Sequence, residues 1–270
     1  MACPMRRLLT FPCDGMTLAA TLDGGADEIG LLMVTGGSQT RVGSHRMYER
    51  LAGSLSESRI SCLRFDRRGV GDSEGDDPGF RCSAPDLAAA VAAFRREAPA
   101  VRRLFGFGLC DGATALALHG GALALDGLIL VNPWLVEAAA DTPPAAAVRA
   151  HYRERLLSLD GWKRLLTGAV DLRKLWRGIA RLFRREDATL TAETANALRR
   201  LGLPTCVILA AGDATAIAAR SALKSSDFNG LGIDIQELDS DSHTFARPGD
   251  EAALAAAVID ALRRLGVQAS

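Results

Sequence analysis

The chain has 270 residues, enough to bury a large core in one main α/β domain. Lys plus Arg total 32 and Asp plus Glu total 32, so net charge argues for neither nucleic acid nor an anionic membrane surface. No apolar stretch follows Arg6 and Arg7, and no later apolar run reaches spanning length, which predicts a cytoplasmic protein without membrane insertion.

Along the chain, apolar runs alternate with helical patterns, the signature of a doubly wound, mostly parallel sheet covered on both faces. Strands are predicted at 7–12, 17–23 and 29–35, the first two joined around Asp14-Gly15 as an antiparallel start. A helix at 47–58 leads to a strand at 60–65, and a helix at 85–97 leads to a strand at 101–107. An Ala-rich helical pattern follows at 113–119, then strands at 127–131, 205–211 and 233–238, and a last helix at 251–265.

Between the strands at 127–131 and 205–211 lies a long insertion. The predicted organisation is a core over 1–132 and 203–270 with a helical lid over 133–202. The lid carries Arg149, Arg153, Arg155, Lys163, Arg164, Arg173, Lys174, Arg177, Arg181, Arg184 and Arg185 against Glu154, Asp160, Asp171, Glu186 and Asp187. A solvated helical face explains such a run, and so does a surface for phosphates, which Arg pairs bidentately. Coenzyme A or the arm of an acyl carrier protein would present those phosphates.

The chemistry-bearing stretch is Gly106-Phe107-Gly108-Leu109-Cys110-Asp111-Gly112, between a predicted strand and a predicted helix. It reads as a nucleophile elbow with cysteine at the apex, where small residues two before and two after give the turn its room. The other cysteines are Cys3, Cys13, Cys62, Cys82 and Cys206. They form no C-x-x-C pair, and Cys62 and Cys206 lie in apolar strand patterns as small buried hydrophobes. A cysteine nucleophile needs a base, and the base an orienting acid. Asp213 follows the strand at 205–211, and His243 stands in the loop after the last strand, both at the carboxyl edge of a parallel sheet. Glu137 and Asp241 are alternative acids, and the Ala214-Thr215-Ala216 that follows Asp213 would equally suit a helix N-cap.

Nucleophile, acid, histidine is the chain order of α/β-hydrolases, and the sequence resembles that superfamily over nearly its whole length. It is similar in particular to the type 1 hydrolases associated with exosortase A systems. The residues carrying the likeness are the elbow Gly108-Leu109-Cys110-Asp111-Gly112, the loop from Gly36 to Arg46, and Asp241-Ser242-His243-Thr244-Phe245. The segment from Arg64 to Ser73 is similar to a widespread signature of the fold that shapes the loop beside the elbow. The resemblance implies Cys110, Asp213 and His243 as a catalytic triad.

An oxyanion hole is expected from the backbone N–H of Asp111 and a second N–H in the loop after 29–35, from Ser38 or from Gly37. The Asp111 carboxylate suits the helix dipole but disfavours a neighbouring thiolate, and capping is its expected role. Arg41, His45 and Arg46 are candidates to hold a substrate carboxylate or phosphate, with surface or helix-start roles as the alternative. His119 and His151 lack convergent partners and read as structural. No cofactor and no metal is expected, since no metal-binding spacing joins the four histidines.

The expected activity is hydrolysis of a small-molecule acyl thioester or ester through an acyl-cysteine, with a dienelactone-like lactone as a further substrate type. The same residues would serve acyl transfer. Two readings of other classes stand beside it: a non-catalytic binding relative with a degenerate elbow, and a redox-responsive thiol protein, against which the lack of a nearby resolving cysteine speaks.

Overall fold

The computed structural model describes residues 6–24, 26–136 and 188–268. Glu137, His151 and the Arg-rich part of the expected lid lie outside them. The strands are β1 (Arg6–Cys13), β2 (Met16–Asp23), β3 (Ile29–Val34), β4 (Ile60–Phe65), β5 (Arg103–Leu109), β6 (Gly127–Val131), β7 (Thr205–Ala210) and β8 (Asp234–Leu238). The helices are α1 (Met47–Glu57), α2 (Ala84–Glu97), α3 (Asp111–His119), α4 (Ala188–Leu201), α5 (Ala214–Leu223) and α6 (Asp250–Gln268).

The strands form one eight-stranded sheet in the order β1-β2-β4-β3-β5-β6-β7-β8. β1 with β2 and β2 with β4 are antiparallel, and the remaining pairs are parallel, the doubly wound fold expected. Asp14 and Gly15 turn the first hairpin with φ 49° and 81°, a turn whose twist matches that of the strands it joins.

Side chains alternate across the sheet with period two and so divide the core into two layers. Leu31 and Met33 of β3, with Phe105, Phe107 and Leu109 of β5, face the layer closed by α1 and α6. Leu32, Val34 and Leu104 face the layer closed by α2, α3, α4 and α5. On that second face β5 carries glycine instead of bulk. A Cβ on Gly106 would lie 3.1 Å from Leu116, and one on Gly108 2.6 Å from the Ala113 nitrogen, so α3 descends directly onto the strand.

One strand is displaced from its predicted range, and α5 follows Asp213 where the sequence offered only an N-cap. The strand expected at 101–107 runs instead from Arg103 to Leu109 and so delivers the chain straight into the elbow. Residues 188–201, which the 133–202 boundary gives to the lid, form α4, whose Ala195 and Leu198 join the core layer shared with α3. The described end of that segment packs on the core, as do Leu135 and Val136 at its start.

Because the five strands from β3 to β8 that follow β4 in the sheet order are parallel, their carboxyl ends share one edge. There the chain leaves β3 into the loop of Gly36, β5 into Cys110, β6 into Asn132, β7 toward Asp213 and β8 toward His243. Such an edge is where open α/β sheets bind ligands.

Candidate active site

Cys110 stands between β5 and α3 with φ 58° and ψ −125°, a conformation that non-glycine residues hold only when their surroundings enforce it. Its N–H donates to the Val131 carbonyl at 3.0 Å, and its own carbonyl accepts from Ala113, Thr114 and Trp134 at 3.1–3.2 Å. Gly112 makes the turn possible. A Cβ there would sit 2.5 Å from the Val34 oxygen and 2.7 Å from that of Thr35. The Cys110 side chain is half-exposed, whereas Cys13, Cys62 and Cys206 are buried. Burial pushes the thiol of Cys13 up to about 11 and that of Cys206 up to about 12, which leaves little thiolate near neutrality.

Asp213 and His243 meet as the chain order implied. His243 Nδ1 lies 2.9 Å from Asp213 Oδ2. The same oxygen accepts the Ala216 N–H at 2.9 Å, so Asp213 caps α5 and faces the imidazole at once. The helix cap and the contact with His243 are thus made by one carboxylate. Hydrogen bonding to Asp213 first, and then to Cys110, pushes His243 up to about 10 from an ordinary 6.5, against the opposing effect of burial. Asp241 is turned away: its carboxylate is 73% exposed and lies 3.5 Å from Arg247.

The loop after β3 comes close against the elbow. A Cβ on Gly36 would lie 2.6 Å from Asp111 Oδ1 and 3.1 Å from Cys110 Cβ. The Gly37 N–H, a candidate oxyanion donor, donates to Asp111 Oδ1 at 2.6 Å and is therefore occupied by a carboxylate. The Asp111 carboxylate, expected to cap, thus holds the loop after β3, and the N-cap of α3 is Cys110. Ser38 is exposed on the same loop, and the Asp111 N–H opens α3, where the first turn has no intrahelical acceptors. Behind the loop, the buried Arg67 donates to the Gly37 carbonyl. That contact ties the 64–73 segment to the elbow loop.

The three candidates for a substrate anion have other partners. Arg41 is paired with Asp66, donates to Asp72 at 2.8 Å and to Thr21 at 3.2 Å, and is 14% exposed. Its guanidinium is structural. Arg46 grips Glu49 with two bonds of 2.7 and 2.8 Å. His45 Nε2 lies 3.0 Å from the Thr244 carbonyl and 3.1 Å from its hydroxyl, so it braces the loop that carries His243. His119 contacts the Phe80 carbonyl at 3.2 Å, in keeping with a structural part.

Two residues at the edge carried no sequence signal. Tyr48, fully buried on α1, donates its hydroxyl to the Val34 carbonyl at 2.7 Å and accepts the Leu109 N–H at 3.1 Å. It thereby bridges the strand ends that lead into the loop of Gly36 and into Cys110. Asn132, also fully buried, bonds the His243 carbonyl. A polar residue after an apolar strand looks like a loop residue, and only the fold shows which backbone groups it reaches.

The profile of the alpha/beta hydrolase family matches residues 31–258, and the chain belongs to this family. No curated protein sequence matches the chain. Among solved structures it is similar to the esterase Pf2001 of Pyrococcus furiosus, with a TM-score of 0.67 and 12% identity over 97% of this chain and 91% of that one. It is similar to a dienelactone hydrolase from Anabaena variabilis, with a TM-score of 0.64 and 13% identity over 97% and 99% of the two chains. The Est1E protein of Butyrivibrio proteoclasticus, solved with ferulic acid bound, gives 0.63 and 16% over 96% and 99%. At these identities the likeness shows the shared fold.

Proposed function

We propose that the protein hydrolyses acyl thioesters, with Cys110 as nucleophile, His243 as proton carrier and Asp213 as the acid that orients it. The observation that carries this reading is the 2.9 Å contact of His243 Nδ1 with Asp213 Oδ2 at the carboxyl edge of the sheet, where Cys110 also acts on the imidazole and raises it. His243 takes the proton of the Cys110 thiol, leaving a thiolate beside the imidazolium. The sulfur attacks the acyl carbon. As the tetrahedral intermediate collapses, the bond to the leaving thiol breaks and the imidazolium gives that thiolate its proton. Water then adds to the acyl-cysteine while neutral His243 accepts a proton from it, and the carboxylic acid departs as the Cys110 thiolate is released.

The N–H groups of Asp111 and Ser38 are the proposed oxyanion donors, with Gly37 joining them when the Asp111 carboxylate leaves it; one such donor is worth roughly 3 kcal/mol in the transition state. The basic excess within 133–202 supports a phosphate-bearing carrier such as coenzyme A or an acyl carrier protein. No cofactor is needed for these steps. Free cysteines at five described positions are in keeping with a cytoplasmic setting. The elbow and loop motifs support a place near the type 1 hydrolases associated with exosortase A systems. An ester or lactone would follow the same course, and acyl transfer would result if another nucleophile replaced water.

One observation favours a binding-only relative: the Asp111 carboxylate sits on Gly37, where an oxyanion would compete for the same N–H. The deciding experiment is thiol release from acyl thioesters of graded chain length, with simple esters and lactones beside them, and intact mass recorded. Wild type, Cys110→Ala and Asp111→Ala are compared. An acyl adduct on wild type that disappears with turnover in Cys110→Ala is the expected result, with Asp111→Ala retaining turnover. No adduct and no turnover on any substrate class would overturn the hydrolase reading in favour of the binding module.

A further inference from the structure

Asn132 takes no part in the steps above, yet its side chain joins the end of β7 to the main chain of His243. It follows β6, is fully buried and holds a left-handed φ of 41°, which asparagine tolerates better than most residues but still at a cost. Its N–H donates to the Ile208 carbonyl at 2.9 Å. Its side-chain Oδ1 accepts the Ala210 N–H at 2.8 Å, and its Nδ2 donates to the His243 carbonyl at 3.0 Å. Ala210 ends β7, and its carbonyl accepts the Asp213 N–H at 3.1 Å.

The paired residues of β6 and β7 end at Val131 and Ile208, so the Asn132 amide supplies a contact that the strands themselves no longer make. One planar group therefore runs from the strand that delivers Asp213 to the main chain of His243. A buried amide with both ends bonded is rigid, and leaving either partner unpaired would be costly.

We propose that Asn132 is a positioning residue that sets the imidazole of His243 between Asp213 and Cys110 by fixing the His243 backbone to the end of β7. The proposal rests on the reading that His243 serves Cys110. It requires the donor end of the amide specifically. Asn132→Asp keeps the acceptor for Ala210 but sets oxygen against the His243 carbonyl. Asn132→Gly accepts the left-handed backbone without strain and removes both side-chain bonds.

The test follows the pH dependence of Cys110 alkylation by iodoacetamide in wild type, Asn132→Asp, Asn132→Gly and His243→Ala, with kcat and KM on the best acyl substrate and melting temperature for each. Both Asn132 variants are expected to fold, to keep KM within about twofold, and to lose kcat by about 10–100-fold, as misplacement of a reacting group does. Their alkylation profiles should shift toward that of His243→Ala by about one pH unit or more. A purely structural role would make Asn132→Gly harmless to the profile, because it relieves the strained backbone. Wild-type profiles and kcat in both variants, with His243→Ala displaced, would overturn the proposal alone. An unchanged profile in His243→Ala would overturn the Cys110–His243 pairing and this proposal with it.

Discussion

At Cys110 the backbone holds a positive φ that only its neighbours make tolerable, and the side chain so displayed meets an imidazole whose other nitrogen is held by Asp213. That arrangement has a signature in stability. A histidine raised from 6.5 to about 10 on folding stabilises the native state fully below 6.5, and the contribution fades as pH climbs through about 10. Urea denaturation of wild type and His243→Gln should therefore show a gap that is widest in mildly acidic buffer and closes above about pH 10. A gap that widens with rising pH would contradict the charge arrangement. The sequence pointed to all three residues because each follows an apolar strand. It could not show that Asp111 reaches Gly37, since 74 residues separate two groups that touch only when β3 and β5 pair.

The elbow as an element depends on missing side chains. Alanine in place of glycine inside a helix gains about 1 kcal/mol from propensity, and this is the expected result at Gly53 of α1, where an added Cβ meets nothing within 4 Å. At Gly112 of α3 the same change places a Cβ 2.5 Å from the Val34 carbonyl, a backbone atom that cannot rotate away. Overpacking there should exceed the propensity gain and cost about 1–3 kcal/mol or more. Chemical denaturation of Gly53→Ala and Gly112→Ala checks the opposite signs, and Gly112→Ala should also lose acyl turnover. The glycine spacing was legible from sequence. The neighbour that requires it was not, because the contact lies across the sheet. For a related reason the sequence signals α5 only through the N-cap at Asp213. Its Ala-rich run lacks the polar face that marks an amphipathic helix, and it is capped by the same Asp213 carboxylate that holds His243.

Across the whole molecule, charged groups under the loop of Gly36 to Arg46 link elements far apart in sequence. Asp66, fully buried, accepts from the Arg41 guanidinium and main chain and from the Asp72 N–H. Arg64 donates to the Arg41 carbonyl and to Asp23, and Arg6 reaches Asp23 from β1. Removing one member leaves its partner desolvated and unpaired, so Asp66→Ala should lower unfolding free energy by about 3–5 kcal/mol, measured by urea denaturation. A loss under about 1 kcal/mol would mean that Arg41 finds water instead. Arg41 illustrates the limit of reading charge along a chain: as a residue beside a candidate site it suggests a ligand, and in the fold it proves to hold Asp66. The sequence by itself determined the class of fold, the placing of Cys110, Asp213 and His243 after successive strands, and the position of the elbow turn, because hydrophobic period and glycine spacing are local properties. Which carboxylate meets the imidazole, that Arg41 and Arg46 are already paired, and that Asn132 bridges β7 to His243 were decided only by tertiary structure, because hydrogen-bond partners depend on which strand ends the sheet brings together.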